Sequence, residues 1–450
     1  MPDTAQTKDE LVFLPLGGCG EIGMNLNLFG HNGHWLMVDC GVTFKQGVRG
    51  NRVLMPDPSF IEARRDKLVG LVATHAHQDH IGAIHLLWQK FRCPIYATGF
   101  TANVIRARLR RERCPAPVYA LDQDATKQLG PFIVQWLPVT HSTIESSALK
   151  IETAVGSLLH TSDWKVDHMP VVGRAFDGES WNGVSAHTVD AIISDSTNAT
   201  QTGHSLSEND LVAGLEQTIA TASARVVVTC FSSNIARLQT LGQLAASNGR
   251  YLAVLGRSMN DMIASAKACD YLSDKFHVIP DNDIGYLPRK EVLIIATGSQ
   301  GEPGAALNRL ANGTHPTLEL EPQDRVVFSS KTIPGNERLI AALVNSLLER
   351  DIEVIDKSNA KQPIHASGHA CADELEMMYR SVASPIVIPV HGESEHMNAN
   401  AAIARRCQVA QQMVGVNGDL FRIRPTPGVY RGAVPAGRLE LLPDGKLMTV

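Results

Sequence analysis

The sequence predicts an α/β protein with more than one domain. Its 450 residues exceed what one small core needs. Residues 1–205 read as many strands with few helices. Residues 206–360 alternate strand and helix, and residues 361–450 return to short strands and turns. The expected division is a first part, an inserted α/β unit and a closing part.

The first element is "LPLGGCGEIGMN". In it Gly18, Gly20 and Gly23 spell G-x-G-x-x-G, and Asp39 stands 21 positions after Gly18. A dinucleotide site with that fingerprint needs a helix straight after the glycines, because the helix N-terminus holds the pyrophosphate. Here Met24, Leu26 and Leu28 alternate with polar residues, "GHNGH" is a turn and "WLMVDCGV" is a second apolar run. The glycines therefore lead into a β-hairpin, and the dinucleotide reading fails.

A buried strand, "LVGLVAT", then runs into "HAHQDH", and Ile81, Ile84, Leu87 and Trp88 give the following segment helical spacing. "PIYAT", "FIVQWLPVTHS", "ALKIETAVGSLLHTSD" and "AIISDST" read as strands. "ANVIRARLRRER" reads as a helix with Arg106, Arg110 and Arg113 on one face, which can follow phosphates or simply meet solvent. Ser205 and Glu208 form the S-x-x-E pattern of a capping box ahead of an apolar-periodic run. From there "ARVVVTC", "RYLAVLG", "EVLIIATG" and "DRVVFSS" alternate with helical segments, as in a mostly parallel sheet, and "IEVI" closes the alternation near residue 360.

Hydrophobic residues make up 44% and charged residues 19%, an ordinary globular balance. The net charge of −5 gives no global basic field, so a polyanion must be met by local patches. The eight cysteines form no C-x-x-C and read as free thiols of a reducing compartment. The polar N-terminus lacks a signal-peptide pattern and no run of 18 apolar residues occurs, so the expected location is cytoplasmic.

"THAHQDH" holds His75, His77, Asp79 and His80, three imidazoles and a carboxylate within six residues. His75 and His77 alternate onto one side of an extended chain and can reach one ion, while Asp79 and His80 can face a second. Imidazole with carboxylate suits zinc, or manganese where oxygen donors dominate. The bland alternative is a solvated histidine loop. Against it, His141, Asp163 and His391 each sit at the end of an apolar run, where a rigid sheet presents ligands.

With these residues in view, the chain resembles the metallo-β-lactamase superfamily and, within its β-CASP branch, the bacterial ribonuclease J family. "LPLGGCGEIGMN", "THAHQDHIGA", "SDSTNAT", "GRSM", "TGSQGEPGAAL", "IPGNE", "HASGHA" and "IPVHGE" carry the resemblance in that order, over nearly the whole chain. It implies a four-layer αββα metallo-β-lactamase fold assembled from both ends of the chain, with an inserted α/β β-CASP domain. It implies a metal-dependent ribonuclease, acting 5′-to-3′ on 5′-monophosphorylated single-stranded RNA, with endonuclease activity besides. It also implies two divalent metal ions, zinc first and manganese or magnesium as alternatives, and a homodimer or homotetramer. Many family members continue into a small C-terminal domain, and this chain reads as a short form without it.

The family's roles fall on matching residues. His75, His77 and His141 would hold one metal, Asp79, His80 and His391 the other, and Asp163 would bridge. Asp39 would orient ligands from behind. Asp195, His369 and Asp79 are the catalytic candidates, His369 as stabiliser of the reacting phosphoryl group. Ser232, Ser233, His365, Ser367, His369 and Arg257 are the candidates for substrate contact. Ala236 stands where the family often carries His or Tyr, so one pocket contact is expected to be missing. Gly298 and Ser299 either cradle an anion or make a turn. His31, His34, His160 and His187 match no motif and read as structural or solvated. The alternatives in function are a DNA or small-phosphodiester hydrolase of the same fold, and a non-catalytic RNA-binding assembly subunit.

Overall fold

The computed structural model describes residues 8–450 apart from 48–49, 178–180, 182–183, 185–188, 274–275 and 334. His187 and the first seven residues, which the readings above include, lie outside that set.

The hairpin after the glycines is Leu26–His31 paired antiparallel with His34–Val38. Asn32 and Gly33 turn it with φ of 48° and 72°, the double positive φ that matches the twist of two short strands. Around the hairpin, eight strands run in the order Gly428–Tyr430, Leu420–Arg424, Leu11–Gly17, Leu26–His31, His34–Val38, Leu68–Ala73, Ile95–Thr98 and Val118–Leu121. A second sheet orders Gln411–Gln412, Ile386–Val390, Ala191–Asp195, Gly156–His160, Ser147–Thr153, Phe132–Pro138 and Thr126–Leu129. Both sheets thus combine strands from the two ends of the chain.

Strand alternation decides the layers. Leu11, Phe13 and Phe29 turn inward against Phe132, Trp136, Leu149 and Ile388 of the other sheet. Val12, Leu14 and Leu28 turn outward under the helix Ile84–Phe91. On the far side Leu159, Ile192 and Val387 are covered by Leu375, Met378 and Ile403 of the helices Ala372–Val382 and Ser394–Arg406. The result is helix, sheet, sheet, helix.

The intervening segment forms its own five-stranded parallel sheet, ordered Tyr251–Leu255, Val292–Ala296, Val226–Thr229, Arg325–Phe328 and Glu353–Ile355. The chain leaves Val226–Thr229 toward one edge and Arg325–Phe328 toward the other. A parallel sheet opens a crevice beyond its carboxyl ends where connections diverge in this way. The loops beginning at Cys230 and Ser329 flank that crevice, and Ser329 N donates to Thr229 O at 2.9 Å. A four-stranded sheet, Leu447–Thr449, Arg438–Leu441, Gly50–Pro56 and Thr43–Gly47, completes the sheets among the described residues.

Two local expectations are corrected. Ser205 and Glu208 do not cap a helix: the next helix is Val212–Ala220, after a turn at Asn209–Leu211. The Ser205 hydroxyl donates to His369 O at 2.5 Å, and Glu208 is buried against Arg237, with its Oε2 accepting from Nε at 2.9 Å. A fully buried guanidinium needs a carboxylate more than a helix end needs a cap. The arginine helix, Gly99–Arg111, ends before Arg113, whose φ of 54° takes it off the helical face. Arg106 is drawn onto Val118 O at 2.8 Å, and Arg108 and Arg111, not the expected trio, face a cleft toward the inserted unit.

Candidate metal centre

Every candidate ligand sits on or just beyond a strand end or at the start of a short helix. His75 and His77 follow Leu68–Ala73, and Asp79 and His80 lie in the turn Gln78–Ile81. His141, Asp163 and His391 follow Phe132–Pro138, Gly156–His160 and Ile386–Val390. The opening glycines serve this arrangement. Gly18, with φ of 85°, brings its carbonyl to His391 N at 2.6 Å, and a Cβ there would collide with the Asn25 amide oxygen. Asn25 in turn donates from Nδ2 to Asp79 O at 3.1 Å, pinning the histidine turn.

The structure brings seven residues together as two groups sharing Asp163: His75, His77, His141 and Asp163, then Asp79, His80, Asp163 and His391. In the first, His77 Nδ1 lies 3.1 Å from His75 Nε2 and 3.0 Å from His141 Nε2. Asp163 Oδ2 is 3.7 Å and 3.8 Å from the same two Nε2 atoms. Bonds of about 2.0–2.1 Å set in a tetrahedron space neighbouring donors about 3.3 Å apart, so the donors fit a zinc-like ion. In the second, Asp163 Oδ2 and Asp79 Oδ2 lie 3.1 Å and 3.6 Å from His80 Nε2, and His391 Nε2 is 3.2 Å from Asp79 Oδ2.

Outer partners fix which nitrogen faces inward. His80 Nδ1 donates to Asp39 Oδ2 at 2.7 Å, and Asp39 Oδ1 accepts from Thr74 N at 2.9 Å. His75 Nδ1 donates to Thr74 Oγ1 at 3.0 Å, His391 Nδ1 to Thr197 Oγ1 at 2.7 Å, and His141 Nδ1 to Gly368 O at 2.5 Å. Gly368 allows that last approach, since a Cβ there would stand 2.6 Å from the His141 ring. With those outer nitrogens committed, the inward nitrogens of His75 and His141 carry bare lone pairs, and those of His80 and His391 would present theirs once a metal displaces the proton that the carboxylates favour.

The titration pattern follows from burial and neighbours. Burial and the adjoining imidazoles push His75 and His141 well below the ordinary histidine range; burial first, with His80 and His369 beside it, takes His77 to about 4 against the pull of Asp79 and Asp163. At His80 and His391 burial works the same way but is outweighed by carboxylates, chiefly Asp163, which hold His80 well above the usual range and His391 at about 10. Burial also opposes ionisation of Asp163, yet His391, His80 and His369 hold it far below the carboxylate range.

Asp195 and His369 adjoin this cluster. Asp195 Oδ2 accepts from His369 Nδ1 at 2.8 Å, and His369 Nδ1 is 3.9 Å from Asp163 Oδ2. Asp195, His369, Asp163 and His391 form a further group of converging donors. Ser367 Oγ accepts from Asn198 Nδ2 at 2.8 Å. His365 has a buried Nδ1 without a hydrogen-bond partner, and burial together with Arg237 takes its pKa down to about 3. Ser232 and Ser233 stand at the crevice end of the inserted sheet, Ser233 buried. Ala236 lines a cavity of about 30 Å³ with His141, Ser142 and Glu208.

Arg257 is not brought to the cluster. It is exposed, opens the helix Arg257–Ala268, and lines a cleft of about 590 Å³ with Arg108, Arg111, Arg309 and His85; none of the seven residues lines that cleft. Gly298 makes a turn, closed by Gly301 N donating to Gly298 O at 3.1 Å. His31 is buried with Nδ1 bonded to Glu10 O, His34 bonds Asn32 O, and His160 is buried edge-on to Phe29. The residues not singled out from the sequence are Thr74, Thr197, Asn198 and Lys331. Thr197 and Asn198 lie inside "SDSTN", so the motif did mark them.

The comparisons with known proteins agree with this fold. Residues 24–165 match the metallo-beta-lactamase superfamily, 223–347 the beta-CASP domain of ribonuclease J, and 358–409 the Zn-dependent metallo-hydrolase RNA specificity domain. The chain is 39% identical over 453 residues to ribonuclease J of Sinorhizobium meliloti, covering 99% of this chain and 79% of that one. It belongs to the ribonuclease J family. Ribonuclease J of Mycolicibacterium smegmatis is 36% identical, with 94% of this chain and 76% of that one covered. Ribonuclease J of Helicobacter pylori J99 is 33% identical, and the chain spans 96% of itself but 63% of that relative. A crystal structure of a protein of unknown function from Enterococcus faecalis shares the fold at a TM-score of 0.63 and 13% identity, over 92% of this chain and 100% of that one. Among the described residues no helix is long and apolar enough to cross a membrane.

Proposed function

We propose that this ribonuclease J family hydrolase degrades single-stranded RNA from a 5′-monophosphorylated end, releasing nucleotides 5′ to 3′, and that the same centre cuts internal phosphodiesters. The observation that carries the reading is the seven-residue cluster with Asp163 common to both of its halves. Two divalent ions are the proposed complement, zinc by preference, because five of the seven donors are imidazoles. When bound, such ions supply Lewis-acid activation of water and of the phosphoryl oxygens.

The chain's own residues do the rest. His75, His77, His141, Asp163, Asp79, His80 and His391 hold the ions, and Asp39, Thr74 and Thr197 keep their rings turned inward. Asp195 fixes the His369 ring through Nδ1, which leaves Nε2 to contact the reacting phosphoryl group. His365, Ser367, Ser232 and Ser233 are proposed to bind the flanking phosphate. The proposed domain division is 1–205, 206–360 and 361–450, which the sheet memberships support, and the proposed assembly is a homodimer or homotetramer.

The test uses 3′-labelled RNA bearing a 5′-monophosphate or a 5′-triphosphate, with zinc, manganese or magnesium, beside a His80→Ala control. Mononucleotides released from the monophosphate form alone, and lost in the variant, are expected. Internal fragments from both forms without mononucleotides would make the enzyme an endonuclease alone. Cleavage of DNA but not RNA would favour the phosphodiesterase alternative.

A further inference from the structure

Lys331 is the third residue of the loop after strand Arg325–Phe328, on one side of the crevice whose other side carries Ser232 and Ser233. Its backbone is held firmly. The buried Gln300 side chain donates from Nε2 to Lys331 O at 2.9 Å, and its Oε1 accepts from Ile333 N at 2.8 Å. The ammonium reaches Asn198 Oδ1 at 3.4 Å. Asn198 Nδ2 donates in turn to Ser367 Oγ and, at 3.1 Å, to His369 O. A single amide therefore links Lys331 to the segment that carries His369.

The charge on Lys331 is not compensated. Lys90, Lys150 and Lys165 each meet a carboxylate, Glu62, Glu152 and Asp167 respectively, but among the described residues Lys331 forms no ion pair. Lys331 is an exposed residue, yet burial of its ammonium and then the neighbouring Lys357 lower its pKa. The same wall holds the unpartnered Nδ1 of His365, which Lys331 also influences. A partly desolvated cation beside another cation is costly without an anion and favourable with one.

We infer that Lys331 binds the terminal 5′-phosphate of the RNA and so sets the preference for a 5′-phosphorylated over a 5′-hydroxyl end. The inference rests on the 5′-end reading above. A terminal monophosphate carries about −1.5 to −2 charge at neutral pH, against −1 for an internal diester, and so attracts the Lys331 ammonium more strongly.

The test compares the full chain with Lys331→Met and Lys331→Arg on RNAs of one sequence ending in 5′-monophosphate or 5′-hydroxyl. In Lys331→Met, kcat/KM on the monophosphate RNA should fall about 10- to 100-fold, mostly through KM, with the 5′-hydroxyl RNA within about twofold of wild type. Lys331→Arg should restore most of the preference. The slope of log(kcat/KM) against log[KCl] on the monophosphate RNA should be shallower by about 0.7 in Lys331→Met, one phosphate contact fewer. Equal losses on both RNAs, or an unchanged ratio, would overturn the assignment. A wild-type enzyme indifferent to the 5′ end would overturn the underlying reading as well, and is recognised without any variant.

Discussion

On one wall of the centre, imidazoles and carboxylates from both ends of the chain face one another. On the other wall, at the crevice of the inserted sheet, Lys331 forms no ion pair among the described residues and the Nδ1 of His365 has no hydrogen-bond partner, with Arg237 behind them tied to Glu208. The donor set of the first wall suits a metal cation, and the Lys331 ammonium of the second suits an anion. A metal ion and a phosphate placed between them satisfy both. The difference teaches that, among the described residues, the inserted unit contributes none of the seven ligand candidates and presents a cation at its crevice instead.

The largest expected effect breaks the first wall. Asp163 belongs to both ligand groups, so Asp163→Ala should lower the rate of RNA hydrolysis about 10³-fold or more, seen in initial rates at saturating metal. A loss under tenfold would remove Asp163 from the centre.

The second wall breaks through its support. Arg237 donates to Glu208, Ser329 O and Ile364 O, and so ties both crevice loops to the segment leading into the inserted unit. Glu208→Ala leaves that guanidinium buried and unpaired, and should cost about 3–5 kcal/mol of unfolding free energy in urea. An unchanged midpoint would mean that the pair is not formed.

A gentler change sharpens the first wall. Asp39→Asn keeps size but weakens the anchor of His80, and metal affinity measured by chelator competition should fall about 10- to 100-fold. The smallest effect belongs to the rim of the cleft. The Arg111–Asp261 pair spans it at 2.9 Å but is solvent-exposed, so Arg111→Ala should change stability by less than about 1 kcal/mol. A larger loss would make the rim part of the architecture.

Local chemistry was legible in the sequence and distant compensation was not. The hairpin at Leu26–Val38 announces itself by alternation and an Asn-Gly turn, and "HAHQDH" by the density of ligand types. Glu208 misled because its partner, Arg237, lies 29 residues away and nothing at the S-x-x-E pattern reveals it. Arg113 misled because helical spacing was extended beyond the residue where the helix stops. Lys331 passed unnoticed because its meaning lies in what it lacks, a carboxylate, which only the packed crevice shows.

The most direct test of the central claim is the ratio of bound zinc or manganese to chain in wild type and in Asp163→Ala, by elemental analysis after equilibrium dialysis. The account predicts two ions per chain in wild type and less than one in the variant. One ion in wild type, or two retained without Asp163, would contradict it.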